Sequence, residues 1–321
     1  MIFGRVKPLD AILATAEKKS LTRTLGALQL TMLGIGAIIG TGIFVLTAEA
    51  ANKAGPAMMI SFIIAAVVCA LAALCYAELA SMVPVSGSAY TYSYATFGEI
   101  VAWIVGWALV LEYAIAASAV SVGWSGYMVS LAEEIFRLDI PNTFVKGPFD
   151  DVGPGEVPGL INIPAMLIGL VCMSLLIVGT KESARFNAVL VAIKVSALIL
   201  FLVLALPAIN AANFEPFSPN GFFAKEVMDP ISNNMVTVGV AAAAASIFFA
   251  YVGFDAVSTA AEETINPQRN IPIGLIGSLG ICTVIYLLVA AGAIGSIGAQ
   301  PGGALSQSDD ALAFVLREIG Q

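Results

Sequence analysis

An apolar run from about Leu25 to Leu46 carries four glycines close together, Gly34, Gly36, Gly40 and Gly42, within Gly34-Ile-Gly-Ala-Ile-Ile-Gly-Thr-Gly-Ile-Phe44. An interior glycine costs a helix about 1 kcal/mol relative to alanine. The run is therefore a poor continuous helix and a good one to break in the middle. At membrane depth a break is tolerated only where the freed backbone lines a cavity or is buried in protein. Freed N–H and C=O groups beside two half-helix ends bind zwitterions and ions, and a Gly-interrupted apolar segment is a pointer to such a site. The same glycines, Gly36-x-x-x-Gly40 among them, also suit a small-residue packing face. Both readings stand on this stretch alone.

The surroundings confirm the solvent. Of 321 residues, 59% are hydrophobic and only 11% charged, against about 25% charged in a soluble chain. The fold class is all-α integral membrane. The basic, polar start shows no short apolar core with a cleavage site, so no cleavable signal is expected. Cys69, Cys75, Cys172 and Cys282 all fall in apolar spans and read as small buried hydrophobes. There is no histidine, the commonest metal ligand and proton shuttle. With no P-loop, no G-x-S-x-G and no clustered metal ligands, no cofactor, metal, enzymatic activity or nucleic-acid partner is expected. The net charge of −8 is no evidence for an acidic partner, because the acids lie mainly in loops of one side.

Stretches able to cross about 30 Å of hydrocarbon run over about 25–47, 56–80, 98–131, 160–179, 186–207, 235–258 and 272–296, which makes seven spans. With a cytoplasmic N-terminus, eight basic residues (Arg5, Lys7, Lys18, Lys19, Arg23, Lys181, Arg185, Arg269) fall inside and five (Lys53, Arg137, Lys146, Lys225, Arg317) outside. That bias favours the N-in orientation. Loops 132–159 and 208–234 are then external. Pro84–Tyr94 reads as an interfacial or re-entrant segment, 264–272 as a polar turn with Glu262 and Glu263 solvated, and 309–318 as an external amphipathic surface helix.

Span six repeats the oddity of span one, with aromatics around Gly253 and then an acid in Ser246-Ile-Phe-Phe-Ala-Tyr-Val-Gly-Phe-Asp255. Two interrupted helices in corresponding positions point to a midplane site between inverted repeats, although an aromatic core stripe has the same composition. Three ionisable residues lie well inside spans: Glu112, Lys194 and Asp255. Each costs about 2.5–3.5 kcal/mol at a helix centre and normally marks a substrate or ion pathway, the alternatives being a structural ion pair or snorkelling. A desolvated lysine loses its proton more readily, which suits proton coupling. Acids at a binding site suit a cationic substrate.

The glycine stretch, Gly55-Pro56, Tyr76-Ala-Glu-Leu-Ala80, Pro84-x-Ser-Gly-Ser-Ala-Tyr90, Phe249–Asp255 and Glu262-Glu-x-x-Asn-Pro-x-Arg-Asn-Ile-Pro272 together resemble the amino acid–polyamine–organocation superfamily. Within it the chain is similar to bacterial permeases of the cationic amino acid transporter type. The resemblance implies a leucine-transporter-like inverted-repeat fold working by alternating access. Residues 1–24 would be a cytoplasmic segment, 25–207 the complete first five-helix repeat, and 208–321 the start of the second, with helices six and seven and an external tail. By the same resemblance, Ile38, Gly40, Thr41 and Gly42 would bind the substrate's α-carboxylate and α-amino groups. Phe249, Ala250 and Val252 would supply carbonyls and an aromatic lid, and Asp255 and Glu112 would lie near the substrate side chain. Lys194 would take the place of a sodium ion and couple transport to protons. The implied partners are an amino acid (arginine, lysine or ornithine), protons, the bilayer of the plasma membrane and a small accessory membrane subunit. The family has at least ten core helices and this chain shows seven, so the expectation includes a shortened second repeat. Competing readings are an exchanger, a neutral amino acid carrier, and an inactive or regulatory fragment.

Overall fold

The computed structural model describes residues 23–137, 140–148, 157–178, 180–228 and 235–320. The expected cytoplasmic segment lies, up to residue 22, outside them, as do parts of loops 132–159 and 208–234 and the side chains of Lys181 and Arg185.

Twelve α-helices and one hairpin follow in chain order among the described residues, with short 3-10 turns between some of them. The glycine-rich run forms two helices, α1 (Ala27–Ile38) and α2 (Thr41–Ala54), with α1 closing at Ile39 and Gly40 extended at φ −118°, ψ −156°. A turn at Gly55-Pro56 leads into α3 (Met58–Met82), followed by α4 (Ser88–Thr96) and the 38-residue α5 (Glu99–Phe136). Then come α6 (Asn142–Val145), α7 (Ile163–Val178) and α8 (Thr180–Ala205). Strands β1 (Lys225–Met228) and β2 (Met235–Val238) precede α9 (Val240–Tyr251) and the short α10 (Ala256–Thr259). The chain finishes with α11 (Pro267–Ile297) and α12 (Ala311–Glu318). Five stretches are long and apolar enough to cross a membrane, 41–82, 99–136, 189–208, 240–259 and 267–297, while α1 and 163–177 are shorter apolar helices.

Four expectations need correction. Span six does not begin at 235: residues 235–238 pair antiparallel with β1, Lys225 opposite Val238 and Met228 opposite Met235. Val236, Thr237 and Val238 are β-branched and favour a strand, and Gly239, at φ +113°, turns the chain before the helix starts. Span three runs on to Phe136, because Ala132-Glu-Glu-Ile-Phe has nothing to break a helix. The polar turn before span seven becomes helical from Pro267, a proline at the first helical position being pre-set for that backbone. Of the cysteines only Cys69 and Cys282 are buried, and Cys75 and Cys172 are exposed.

The chain divides into two compact units. The first comprises Met1–Ile39, Ile64–Ile115 and Tyr251–Ile285, and the second Gly40–Ile63, Ala116–Ala250 and Tyr286–Gln321. The division falls at Ile39/Gly40 and Ala250/Tyr251, at or beside the interruption in both glycine-bearing spans, and also within the continuous helices α3, α5 and α11. In the first unit Leu30, Cys69, Val257, Ile271, Leu275 and Tyr251 are buried. Its entering segment is fixed by backbone bonds, with Thr24 N and Leu25 N donating to Glu263 O and Ile265 N donating to Leu25 O. The second unit buries Ile43, Phe62, Leu198, Phe201, Ile247, Tyr286 and Val289. There the Tyr286 ring meets Phe62 edge-on at 6.0 Å, and Ser61 Oγ donates to Val240 O at 2.8 Å.

Candidate functional site

In the first unit the end of α1 and the turn Val252–Asp255 carry the candidate residues. Ile38 is buried and Val252 half-buried. Gly253 holds φ +112°, and a Cβ there would lie 2.7 Å from Ala37 O. That position needs glycine twice over: for the backbone angle and for the approach of another backbone. Asp255 is 5% exposed, and the Tyr113 hydroxyl donates to its Oδ2 at 3.3 Å. Its carbonyl accepts from Ser258 N at 2.8 Å and from Ser258 Oγ at 2.6 Å. Ser258 Oγ in turn lies 2.9 Å from Ser88 Oγ, so the acid-bearing turn is tied to the start of α4. Tyr76 stacks edge-on against both Tyr92 and Phe254. Glu112 sits on an exposed stretch of α5.

In the second unit the start of α2 and the end of α9 run side by side. Gly42 is buried, and a Cβ on it would lie 2.5 Å from Ala250 Cα. The two helices stay together away from this contact. Lys53 Nζ donates to Glu49 Oε1 at 2.7 Å and to Ser246 Oγ at 2.7 Å, and Ser246 Oγ donates to Glu49 Oε1 at 2.9 Å. Gly239 N donates to Lys53 O at 2.8 Å. At the inner end Gly40 caps α2 without a side chain, so the first-turn N–H groups keep the donor character that attracts anions at helix N-termini. Ala250 O accepts from Tyr286 OH at 3.1 Å. Thr41 and Phe249 are half-buried, and Lys194 is half-buried on α8.

The break and the close packing are both present, at different glycines. Gly34 and Gly42 are packing positions: a Cβ on Gly34 would collide with Ser278 and crowd Val257. The break falls between them, at Ile39-Gly40.

The sequence reading missed several residues that shape these places. Tyr113, beside the expected Glu112, is the one that touches Asp255. Glu262 is not simply solvated, since its Oε1 accepts from Ser86 N at 3.1 Å and Ser86 Oγ at 2.9 Å. Tyr127 OH donates to Phe44 O at 2.8 Å and accepts from Leu312 N at 3.3 Å. A hydroxyl on an apolar helix looks like any interfacial aromatic until its partner is known. Among the described residues no cluster of metal-ligating side chains occurs.

Long apolar helices in sequence, two spans interrupted by backbone breaks, and polar groups gathered at those breaks define a multi-pass membrane protein. Residues 25–312 match the amino acid permease family, and the chain belongs to that family of transporters. It is 45% identical over 319 residues to the methylthioribose transporter of Bacillus subtilis (strain 168), covering 99% of this chain and 64% of that protein. It is 46% identical over 323 residues to the branched-chain amino acid permease BcaP of the same bacterium, covering 100% of this chain and 64% of that protein. It is 37% identical over 295 residues to human cationic amino acid transporter 4, covering 89% and 42%. The chain thus spans less than two thirds of the length of these relatives.

Proposed function

We propose that this chain serves secondary active amino acid transport, taking up cationic or broad-range amino acids by alternating access with proton coupling. The observation that carries the reading is the pair of interrupted spans, one broken at Ile39-Gly40 between α1 and α2 and the other at the turn Val252–Asp255 between α9 and α10. Broken helices of this kind are where transporters bind substrate. In this reading the first-turn amides of α2, from Gly40, Thr41 and Gly42, take the substrate carboxylate, with Ile38 and the carbonyls of Ala250 and Val252 facing the α-ammonium. Phe249 covers the substrate, and Asp255 and Glu112 set the preference for a cationic side chain. Lys194 carries the coupling proton. The chain sits in the plasma membrane with its N-terminus cytoplasmic, in the inverted-repeat arrangement of residues 25–207 and 208–321. A small accessory membrane subunit is compatible with the exposed apolar helices.

A second reading, a carrier of neutral branched-chain substrates, is favoured by the 46% identity to a permease named for them and by the Tyr113 bond that already occupies Asp255. Binding of radiolabelled arginine, lysine, alanine and leucine to the purified 321-residue chain, at acidic and mildly alkaline pH, separates the two. Saturable binding stronger for the cations and weakened by Asp255→Asn supports the first, while preference for leucine, insensitive to that change, supports the second. Proton coupling is tested in proteoliposomes: uptake driven by a pH gradient should lose its gradient dependence in Lys194→Ala, and unaltered dependence would sink that part.

A further inference from the structure

The second unit holds a cavity of about 730 Å³, within the range of small-molecule sites, that none of the residues expected from sequence lines. Its polar lining has both signs: Glu133 and Asp309 against Lys146, with Ser130 and Asn162 between apolar walls. Two carboxylates and one ammonium leave the lining one charge negative. A cationic amino acid has the mirror-image set, one carboxylate and two cationic groups, and a net charge of plus one.

The charges are held loosely enough to exchange partners. Lys146 Nζ lies 3.7 Å from Asp309 Oδ2, with the two side chains 29% and 72% exposed. A pair of that kind is worth little in itself, so both groups can turn to a ligand without leaving a buried charge unpaired. The neighbouring Asp310 behaves oppositely, locked by Arg317 at 2.7 Å and 3.1 Å. Asn162 is oriented by its oxygen, which accepts from Ser125 Oγ at 2.7 Å and Ala165 N at 3.0 Å. The amide N–H₂ is thereby the end left for an acceptor such as a carboxylate.

The cavity also has a defined floor. Val45 and Gly123 line it, and a Cβ on Gly123 would collide with Thr41 and crowd Val45, so α5 and α2 close on each other there. Val45 lies four residues along α2 from Thr41, about 6 Å at 1.5 Å per residue. The edge of the cavity at Val45 therefore lies about one turn from the end of α2 at which the carboxylate is proposed to bind.

We propose that this cavity is a holding site for a cationic amino acid, its carboxylate between Lys146 and Asn162 and its cationic groups at Glu133 and Asp309. The proposal rests on the reading that the chain handles amino acids, and it names a second place where it does so.

The test is equilibrium binding of radiolabelled lysine to the purified 321-residue chain, compared among wild type, the double variant Glu133→Gln/Asp309→Asn, and Asp255→Asn. The expected result is two lysines bound per chain. The double variant should weaken one component about tenfold and leave the other. Asp255→Asn should do the reverse, and added salt should weaken the holding site more, because its charges are exposed. A single class of site that the double variant leaves unchanged overturns the holding site while leaving the site at the helix breaks standing. A single class lost only in the double variant keeps the holding site and overturns lysine binding at the helix breaks. Absence of lysine binding in folded, monodisperse wild type overturns the holding site. Glu133 is exposed and Asp309 is 72% exposed at its side chain, so the double variant retains the fold, and its elution profile verifies this.

Discussion

Gly42 lies flat against the backbone of Ala250: a methyl group built on the glycine would sit 2.5 Å from the alanine Cα. The contact joins the first turn of α2 to the last turn of α9, the two half-helices that the second unit contributes to the interrupted spans. No side-chain rotation can relieve a clash with a Cα atom, so the two helices must part to admit a larger residue. Gly42→Ala should therefore destabilise the protein by about 1–3 kcal/mol, the usual cost of overpacking. Gly280 supplies the control. It lies inside α11 with nothing within 4 Å of a Cβ placed on it, and alanine there should be neutral or stabilising by up to about 1 kcal/mol. Melting temperatures in detergent compare the two, and equal melting for both variants contradicts the packing role of Gly42.

Gly253 is constrained by angle as well as by space. At φ +112° any side chain is strained, and Ala37 O stands 2.7 Å from the Cβ position. Gly253→Ala should cost more than Gly280→Ala by at least about 1 kcal/mol. In binding assays it should also lower substrate affinity, because Val252 and Asp255 flank it. A variant that melts and binds like wild type would show that the turn re-forms without glycine.

The buried carboxylate of Asp310, 5% exposed at its side chain, accepts two bonds from Arg317. Arg317→Ala removes that acid's ion-pair partner and leaves it the Ser308 Oγ bond to Oδ1 at 2.9 Å. A fully buried pair loses about 3–5 kcal/mol on such truncation. Arg317 is 37% exposed, so solvent screening reduces the expected loss to about 1–2 kcal/mol. Asp310→Asn in the Arg317→Ala background should cost much less than in wild type, since residues that share an interaction are not additive. Additive melting shifts across the four proteins refute the coupling.

Tyr113→Phe removes the bond to Asp255 Oδ2 and keeps the ring. At 3.3 Å the bond is long, and its loss should change stability by no more than about 1 kcal/mol. If the Asp255 carboxylate faces substrate, freeing it should raise affinity for lysine and leave leucine binding unchanged. Competition binding with the two amino acids reads this directly, and equal shifts for both contradict a selectivity role.

Much of this architecture is legible in the residue order. Apolar length announces the membrane, because no other solvent accepts so few charges. The glycines of span one announce a break, because helix propensity falls with each. The acid and glycine of span six announce a second irregular span. What escaped were features set by a specific partner, near or far along the chain. Met235–Val238 joined a strand because Lys225–Met228 stands opposite, and helix and strand periods cannot be told apart over four residues. Gly34 and Gly42 read the same in sequence as Gly40, yet they meet Ser278 and Ala250 respectively while Gly40 marks the break. Asp255 was visible as a costly charge, but Tyr113 as its donor was not. Composition and periodicity are sums over neighbours along the chain. Strand pairing depends on a specific partner even a few residues away, while the close approaches of Gly34 and Gly42 and the Tyr113–Asp255 bond join residues more than a hundred positions apart, and only the folded chain brings those together.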